Sequence, residues 1–335
     1  MISSKELVYE ALAFKKVPRV PYCVGFTIPA KERLLAHPGG RELFEKMDND
    51  LVGTSPIRDR VPCPDTPGHF QDEFGVIWDQ TRDPDIGIPY PMIAPENFSQ
   101  FKFPDPNRAD RFDGLKNALK NYPDKFQVMS IGFSLFERAW TLRGMENLFM
   151  DFMEDAEFVS KLLDKIVNFN IAIVQAGLKA CPNLDGIYFG DDFGSQTGLM
   201  MGVERWRKLF KPRLAKQYGA VRSAGKKVFI HSCGKVQEIF DDLVEIGVNC
   251  FNPFQPEVMD VYEMLRRYHG KLAFHGGIST QKLLPYGTTA QVGEEVDRLL
   301  KAGRNGGYLI APAHATPGDA KPENMAAMLK KIINQ

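Results

Sequence analysis

The sequence predicts an α/β protein folded as a (β/α)8 TIM barrel, and three observations carry that expectation. Its 335 residues suit one such barrel. In the second half, short apolar runs alternate with amphipathic stretches, as parallel strands joined by helical crossovers do. Polar residues recur immediately after those runs, where a barrel keeps its chemistry.

Three candidate strands come first, at residues 20–25, 50–55 and 127–132. Five follow: Gly186-Ile-Tyr-Phe-Gly190, Lys227-Val-Phe-Ile230, Val248-Asn-Cys-Phe251, Leu272-Ala-Phe-His275 and Tyr308-Leu-Ile-Ala311. Helical periodicity covers residues 203–223, 236–246, 258–268, 290–302 and 323–333. Residues 56–125 are dense in Pro, Gly, Asp and aromatics and hold no sustained helical period. That stretch is too long for a connection, and predicts a folded excursion over the barrel mouth, between the second and third strands. With no repeat and no linker, residues 1–335 read as a single domain.

Hydrophobic residues make up 44% and charged residues 25%, which excludes disorder, collagen and coiled coil. Lys+Arg 42 balances Asp+Glu 42, so bulk charge supports binding to neither nucleic acid nor an anionic membrane. Lys5, Glu6, Glu10, Lys15 and Lys16 interrupt any signal-peptide core, and no run reaches the roughly 20 apolar residues of a membrane helix. Five cysteines without a CxxC argue against a disulfide framework. The expectation is a reduced, cytoplasmic enzyme, and a homodimer stays open.

His231 and Cys233 lie two apart at a strand end, so an extended chain points both side chains the same way. Imidazole plus thiolate suits Zn²⁺, and His314 from a neighbouring strand would add a third ligand while leaving a fourth position open. The plainer alternative is a buried, hydrogen-bonded pair. Asp191 and Asp192 precede a glycine turn and read either as turn or cap residues or as groups that ligate metal, orient a histidine or hold substrate. In Ser134-Leu-Phe-Glu137 the glutamate fits a capping box, with acid/base work as the alternative. Arg138, Trp140 and Arg143 share its helix, where arginines mostly make structural contacts and less often hold a substrate carboxylate. His275 is a candidate ligand or proton donor, and Gly276-Gly277 after it indicates close backbone approach. Gly276, Gly277, Asn252 and Gln255 are the candidate cofactor-binding residues. His37, His69 and His269 carry no usable pattern.

Several motifs occur in a familiar order: Val228-Phe-Ile-His-Ser-Cys-Gly234, Ile246-Gly-Val-Asn-Cys-Phe-Asn-Pro-Phe-Gln-Pro256, His275-Gly-Gly-Ile-Ser-Thr280, Tyr308-Leu-Ile-Ala-Pro312 and Pro322-Glu-Asn324. The chain resembles the uroporphyrinogen decarboxylase superfamily from about Val20 onward, most strongly from Asp185. It is most similar to the corrinoid-dependent methyltransferase branch, which includes methylcobalamin:coenzyme M methyltransferases and enzymes that demethylate methoxylated compounds. The resemblance implies a (β/α)8 barrel. Decarboxylases of the superfamily carry Arg-Gln-Ala-Gly-Arg after the first strand, whereas Pro21-Tyr-Cys-Val-Gly-Phe-Thr27 stands here and cannot clamp a polyanionic tetrapyrrole.

The superfamily's zinc methyltransferases use His-x-Cys and a later Cys. The pair maps onto His231 and Cys233, but Ala311-Pro-Ala-His314 puts an imidazole where the second thiolate would be. One negative charge fewer makes a bound zinc a stronger Lewis acid, better suited to a leaving phenolate than to a thiolate nucleophile. The resemblance therefore implies transfer of a methyl group from a methoxylated, aromatic donor to Co(I) of a corrinoid. Metal would sit on His231, Cys233 and His314. Asp191 or Asp192 would ligate or supply a proton, Glu137 would act as acid/base or fourth ligand, and Tyr22, Phe26, Phe133, Phe193 and Phe254 would sandwich the arene. No Asp-x-His-x-x-Gly appears, so the corrinoid would come on a separate protein that docks at the excursion. Alternatives are a thiol methyltransferase of the coenzyme M type, a metal-free decarboxylase and a non-catalytic binding barrel.

Overall fold

The structure is a computed structural model that describes residues 2–57, 60–82 and 86–335. Residues 58, 59 and 83–85 of the expected excursion lie outside the described residues. Eleven strands are described, numbered in chain order: β1 Leu51–Thr54, β2 Arg60–Pro62, β3 His69–Asp72, β4 Ile77–Asp79, β5 Ile88–Tyr90, β6 Phe126–Ile131, β7 Gly186–Gly190, β8 Lys227–His231, β9 Cys250–Phe254, β10 Ala273–Ile278 and β11 Tyr308–Pro312. Seven form one sheet in the order β1-β6-β7-β8-β9-β10-β11, with every pair parallel. β9, β10 and β11 are buried at every position, the pattern of strands covered on both faces. The helices anticipated in the second half include Lys211–Arg222 between β7 and β8, Thr289–Gly303 between β10 and β11, and Pro322–Ile333 after β11. The long helix Ala156–Ala180, capped by Asp155, joins β6 to β7 and packs along Lys211–Arg222.

Parallel register brings the functional ends of the strands together. Gly190 pairs with His231, and His231 with Asn252. Gly276 lies opposite Phe254, and Ile278 opposite Pro312. Residues that follow β7, β8, β9, β10 and β11 therefore share one end of the sheet, where parallel α/β sheets build their sites.

Residues 20–25 do not form the expected first strand, and the reason is chemical. Pro21 has no N–H to give, and the Tyr22 N–H is spent on the Asp50 carboxylate at 3.0 Å. What remains is a single parallel bridge between Tyr22 and Ile310, with the Ile310 N–H donating to Pro21 O at 2.9 Å. Asp50, fully buried, also takes both arms of the Arg19 guanidinium, at 2.7 and 2.5 Å.

The described residues between 56 and 125 hold regular structure that their turn-rich composition did not reveal. β2, β3, β4 and β5 form a second, antiparallel sheet, and helix Asp113–Asn121 follows it. A fully buried Arg111 grips Glu73 with both guanidinium nitrogens at 2.9 Å and reaches Asp105 O and Pro56 O, tying the small sheet to the segment that leads into β6. On its other side, Arg138 donates to Asp72 at 3.0 Å, and Trp78 meets Phe133 edge to face at 5.2 Å. No helix among the described residues is long and apolar enough to cross a membrane.

Candidate metal centre and its carboxylates

His231, Cys233 and His314 converge as their spacing predicts. One donor atom from each lies within 4.8 Å of the other two, and Cys233 Sγ is 3.4 Å from His231 Nε2. The convergence depends on β8 ending beside β9. Asn252 Oδ1 accepts the His231 Nδ1–H at 2.6 Å and the Tyr188 hydroxyl at 2.5 Å, while Asn252 Nδ2 donates to His275 O at 2.9 Å. These three bonds agree on the amide's orientation, so His231 carries its proton on Nδ1 and presents the Nε2 lone pair to Cys233 and His314. Burial and the carboxylates of Asp192 and Glu137 push the Cys233 thiol well above its ordinary range. A thiolate here needs a cation beside it. Two neutral imidazoles and one thiolate, with a carboxylate at hand, form the donor set Zn²⁺ takes, so these residues fit that metal.

The two aspartates divide their work. Asp192 Oδ1 accepts the Cys233 N–H at 2.7 Å and stands 3.5 Å from His231 Nε2, which places it at the centre. Asp191 instead caps a helix across the sheet end: its oxygens accept the N–H groups of Leu135 at 3.1 Å and Glu137 at 2.8 Å, at the start of Phe136–Arg143. This corrects the capping box expected in Ser134-Leu-Phe-Glu137. The Ser134 hydroxyl accepts from Gln217 Nε2 at 3.0 Å, and no side chain of the helix's own N-terminus caps it. Freed from that duty, Glu137 lies half-buried near both aspartates. Its carboxyl is raised to about 9 by burial first, and then by the charges of Asp192 and Asp191. Burial likewise raises Asp191 to about 7, against the opposing effect of the N–H groups it accepts.

The remaining expected residues make packing and orienting contacts. His275 is buried, with Nε2 3.4 Å from Cys23 O and Nδ1 without a partner among the described residues. Burial lowers it to about 4, which keeps it neutral. Gln255 Oε1 accepts the Gly234 N–H at 2.6 Å and so fixes the turn after Cys233. Gly276 (φ 134°) would drive a Cβ to 2.6 Å from Phe254 N, and Gly277 (φ 100°) abuts the Tyr308 hydroxyl. Both glycines accommodate neighbouring chain. Of the expected aromatic sandwich, Tyr22, Phe193 and Phe254 are core residues, Phe193 packing on Trp206 and Phe210 and Phe254 stacking on Phe274 at 4.3 Å. Phe26 packs against Phe44, and Phe133 borders a cavity. Arg143 pairs with Asp151, an interhelical contact as anticipated. Tyr188 was missed by the reading of strand ends, although period two puts it on the same side of β7 as Gly190.

A parallel sheet that gathers a His/Cys/His cluster and three carboxylates at its C-terminal end defines an α/β protein with a barrel enzyme's kind of site. The chain belongs to the uroporphyrinogen decarboxylase family: the model of that family, uroporphyrinogen decarboxylase (URO-D), matches residues 74–334. No curated protein sequence matches it. Among solved structures it is similar to a methyltransferase from Methanosarcina mazei, at 17% identity and a TM-score of 0.72, covering 100% of this chain and 99% of that one. A glucosidase from Croceicoccus marinus matches at 11% identity and a TM-score of 0.41, over 94% of this chain and 64% of that one, too low to carry argument.

Proposed function

We propose that this protein is a cytoplasmic, zinc-dependent methyltransferase that moves a methyl group from a methoxylated aromatic compound to the Co(I) corrinoid of a separate protein. The observation that carries the reading is the convergence of His231, Cys233 and His314, with Nε2 of His231 turned inward by Asn252. Membership in the uroporphyrinogen decarboxylase family and the likeness in fold to a methyltransferase support it. Closure into an eight-membered barrel belongs to the same reading, with residues 20–25 bonded to Ile310 on one side and, through Tyr22 O and the Asp50 N–H at 2.9 Å, to the start of β1 on the other.

Zn²⁺ held by the three residues would supply Lewis acidity toward an ether oxygen, which an aryl methyl ether needs because phenolate leaves badly. The chain's own groups do the rest. Asp192 fixes the backbone of Cys233. Glu137, half-buried and protonated at neutral pH beside two aspartates, holds the proton that a departing phenolate would take. The small antiparallel sheet is the lid and the surface where the corrinoid protein docks.

The reading is tested by mixing the protein with a reduced corrinoid protein and methoxylated benzoates, and following the loss of the Co(I) absorption. Turnover that disappears in Cys233→Ser and His314→Ala supports it. Turnover only with a thiol and methylcobalamin would assign the coenzyme M type of chemistry instead. Decarboxylation of a tetrapyrrole with no methyl transfer would overturn it.

A further inference from the structure

The buried Asn252 amide is held at both ends. Its Oδ1 accepts the Tyr188 hydroxyl at 2.5 Å and the His231 Nδ1–H at 2.6 Å, while its Nδ2 donates to His275 O at 2.9 Å. A backbone carbonyl can only accept, so His275 O fixes which way round the amide lies, and the two partners on the oxygen side must both donate. An amide oxygen has two lone pairs, and each has its donor here.

Tyr188 reaches this oxygen from two strands away. It stands on β7, its partner on β8 is Phe229, and Asn252 lies on β9 beside His231. The Tyr188 ring stacks on Phe229 with centroids 6.1 Å apart and planes inclined by 21°, a contact that does not need the hydroxyl. Burial holds the phenol well above its ordinary range, so it keeps the proton that it donates. Two donors on one oxygen weaken each other, because both draw on the same electron density and their hydrogens, alike in charge, repel. The strength with which Asn252 pulls on the His231 Nδ1–H sets how much charge Nε2 offers a metal, since a stronger pull raises the basicity of the ligand. A carboxylate is a common partner at that position of a zinc-binding histidine; a neutral amide takes its place here, and its oxygen is shared.

We propose that Tyr188 is a positioning residue that holds His231 as a weak metal ligand: by occupying one lone pair of Asn252 Oδ1, it limits the charge that His231 passes to a bound Zn²⁺ and keeps that ion a stronger Lewis acid. The proposal rests on the reading of His231, Cys233 and His314 as a zinc site. It acts in the same sense as the choice of a second imidazole, His314, over a second thiolate in that donor set.

Tyr188→Phe removes the hydroxyl and keeps the ring on Phe229, and 3-fluorotyrosine placed at position 188 makes the phenol a stronger donor without removing it. Nuclear magnetic resonance of the zinc-free protein with labelled histidine reads the His231 Nδ1–H, assigned by its absence in His231→Gln. That proton should move downfield in Tyr188→Phe, as its bond to Asn252 strengthens, and upfield with the fluorinated ring. Competition with a chromogenic chelator should find zinc held about two- to fivefold more tightly in Tyr188→Phe than in wild type, and less tightly with the fluorinated ring. A resonance that stays in place, or moves the same way in both variants, overturns the proposal, as does zinc affinity in Tyr188→Phe equal to or below that of wild type. Because the resonance is read without metal, opposite shifts in a protein that takes up no zinc would keep the coupling of Tyr188 to His231 and remove the zinc reading instead.

Discussion

Asn252 holds His231 by its Nδ1–H at 2.6 Å and thereby decides which nitrogen faces Cys233 and His314. Removing that acceptor frees the imidazole to rotate and to exchange tautomers. Asn252→Ala should cut zinc affinity by roughly 10- to 100-fold, the usual cost of losing a partner that orients a histidine ligand. Competition with a chromogenic chelator measures it, and an unchanged affinity would show that Asn252 only supports β9.

Glu137 is half-buried beside two aspartates, and its carboxyl is raised to about 9. The acid is thus loaded below that value and lost as pH rises through it. Methyl-transfer rate should fall on the alkaline side in wild type, and Glu137→Gln should lower it by roughly 10²- to 10⁴-fold while leaving the melting temperature near wild type, because the amide replaces a neutral acid. A rate–pH profile with no alkaline limb would remove Glu137 as the proton donor.

His275 is neutral in the fold, burial having lowered it to about 4 from 6.5. Between those values the unfolded chain binds the proton and the folded one does not, so stability contributed by this group is present above 6.5 and drains away as pH falls toward 4. The full loss is about 3 kcal/mol, taking about 1.4 kcal/mol for each unit. Urea midpoints measured from pH 7 to pH 4 should drop less steeply in His275→Gln than in wild type.

Asp191 accepts the N–H groups of Leu135 and Glu137 from across the sheet end. Asp191→Ala leaves those buried donors unmet and should lower stability by about 1–3 kcal/mol, read from chemical denaturation. A variant as stable as wild type would contradict the capping role.

The strand ends were legible because parallel strands buried on both faces must be apolar throughout, so the first polar residues after each run mark where the sheet stops. Gly190-Asp191 and His231-Ser232-Cys233 both follow that rule. His314 was legible by the same rule, after Tyr308-Leu-Ile-Ala-Pro312, and the motif order then set it where a second thiolate would stand. Residues 20–25 were misread because an apolar run says nothing of donors, and Pro21 with the Tyr22–Asp50 bond removes two of them. The capping box at Ser134 was misread because it needs a free serine, and Gln217 lies far along the chain from Ser134. The antiparallel sheet of residues 60–90 was hidden in turn-rich composition, its strands being three or four residues long.

The central claim is that His231, Cys233 and His314 together hold one zinc ion. Elemental analysis after gentle desalting, on wild type and on Cys233→Ser and His314→Ala with circular dichroism confirming their fold, tests it most directly. Near-stoichiometric zinc in wild type and its loss from both folded variants is the predicted result; wild type that stays zinc-free after resupply, or a His314→Ala variant that keeps its zinc, would contradict it.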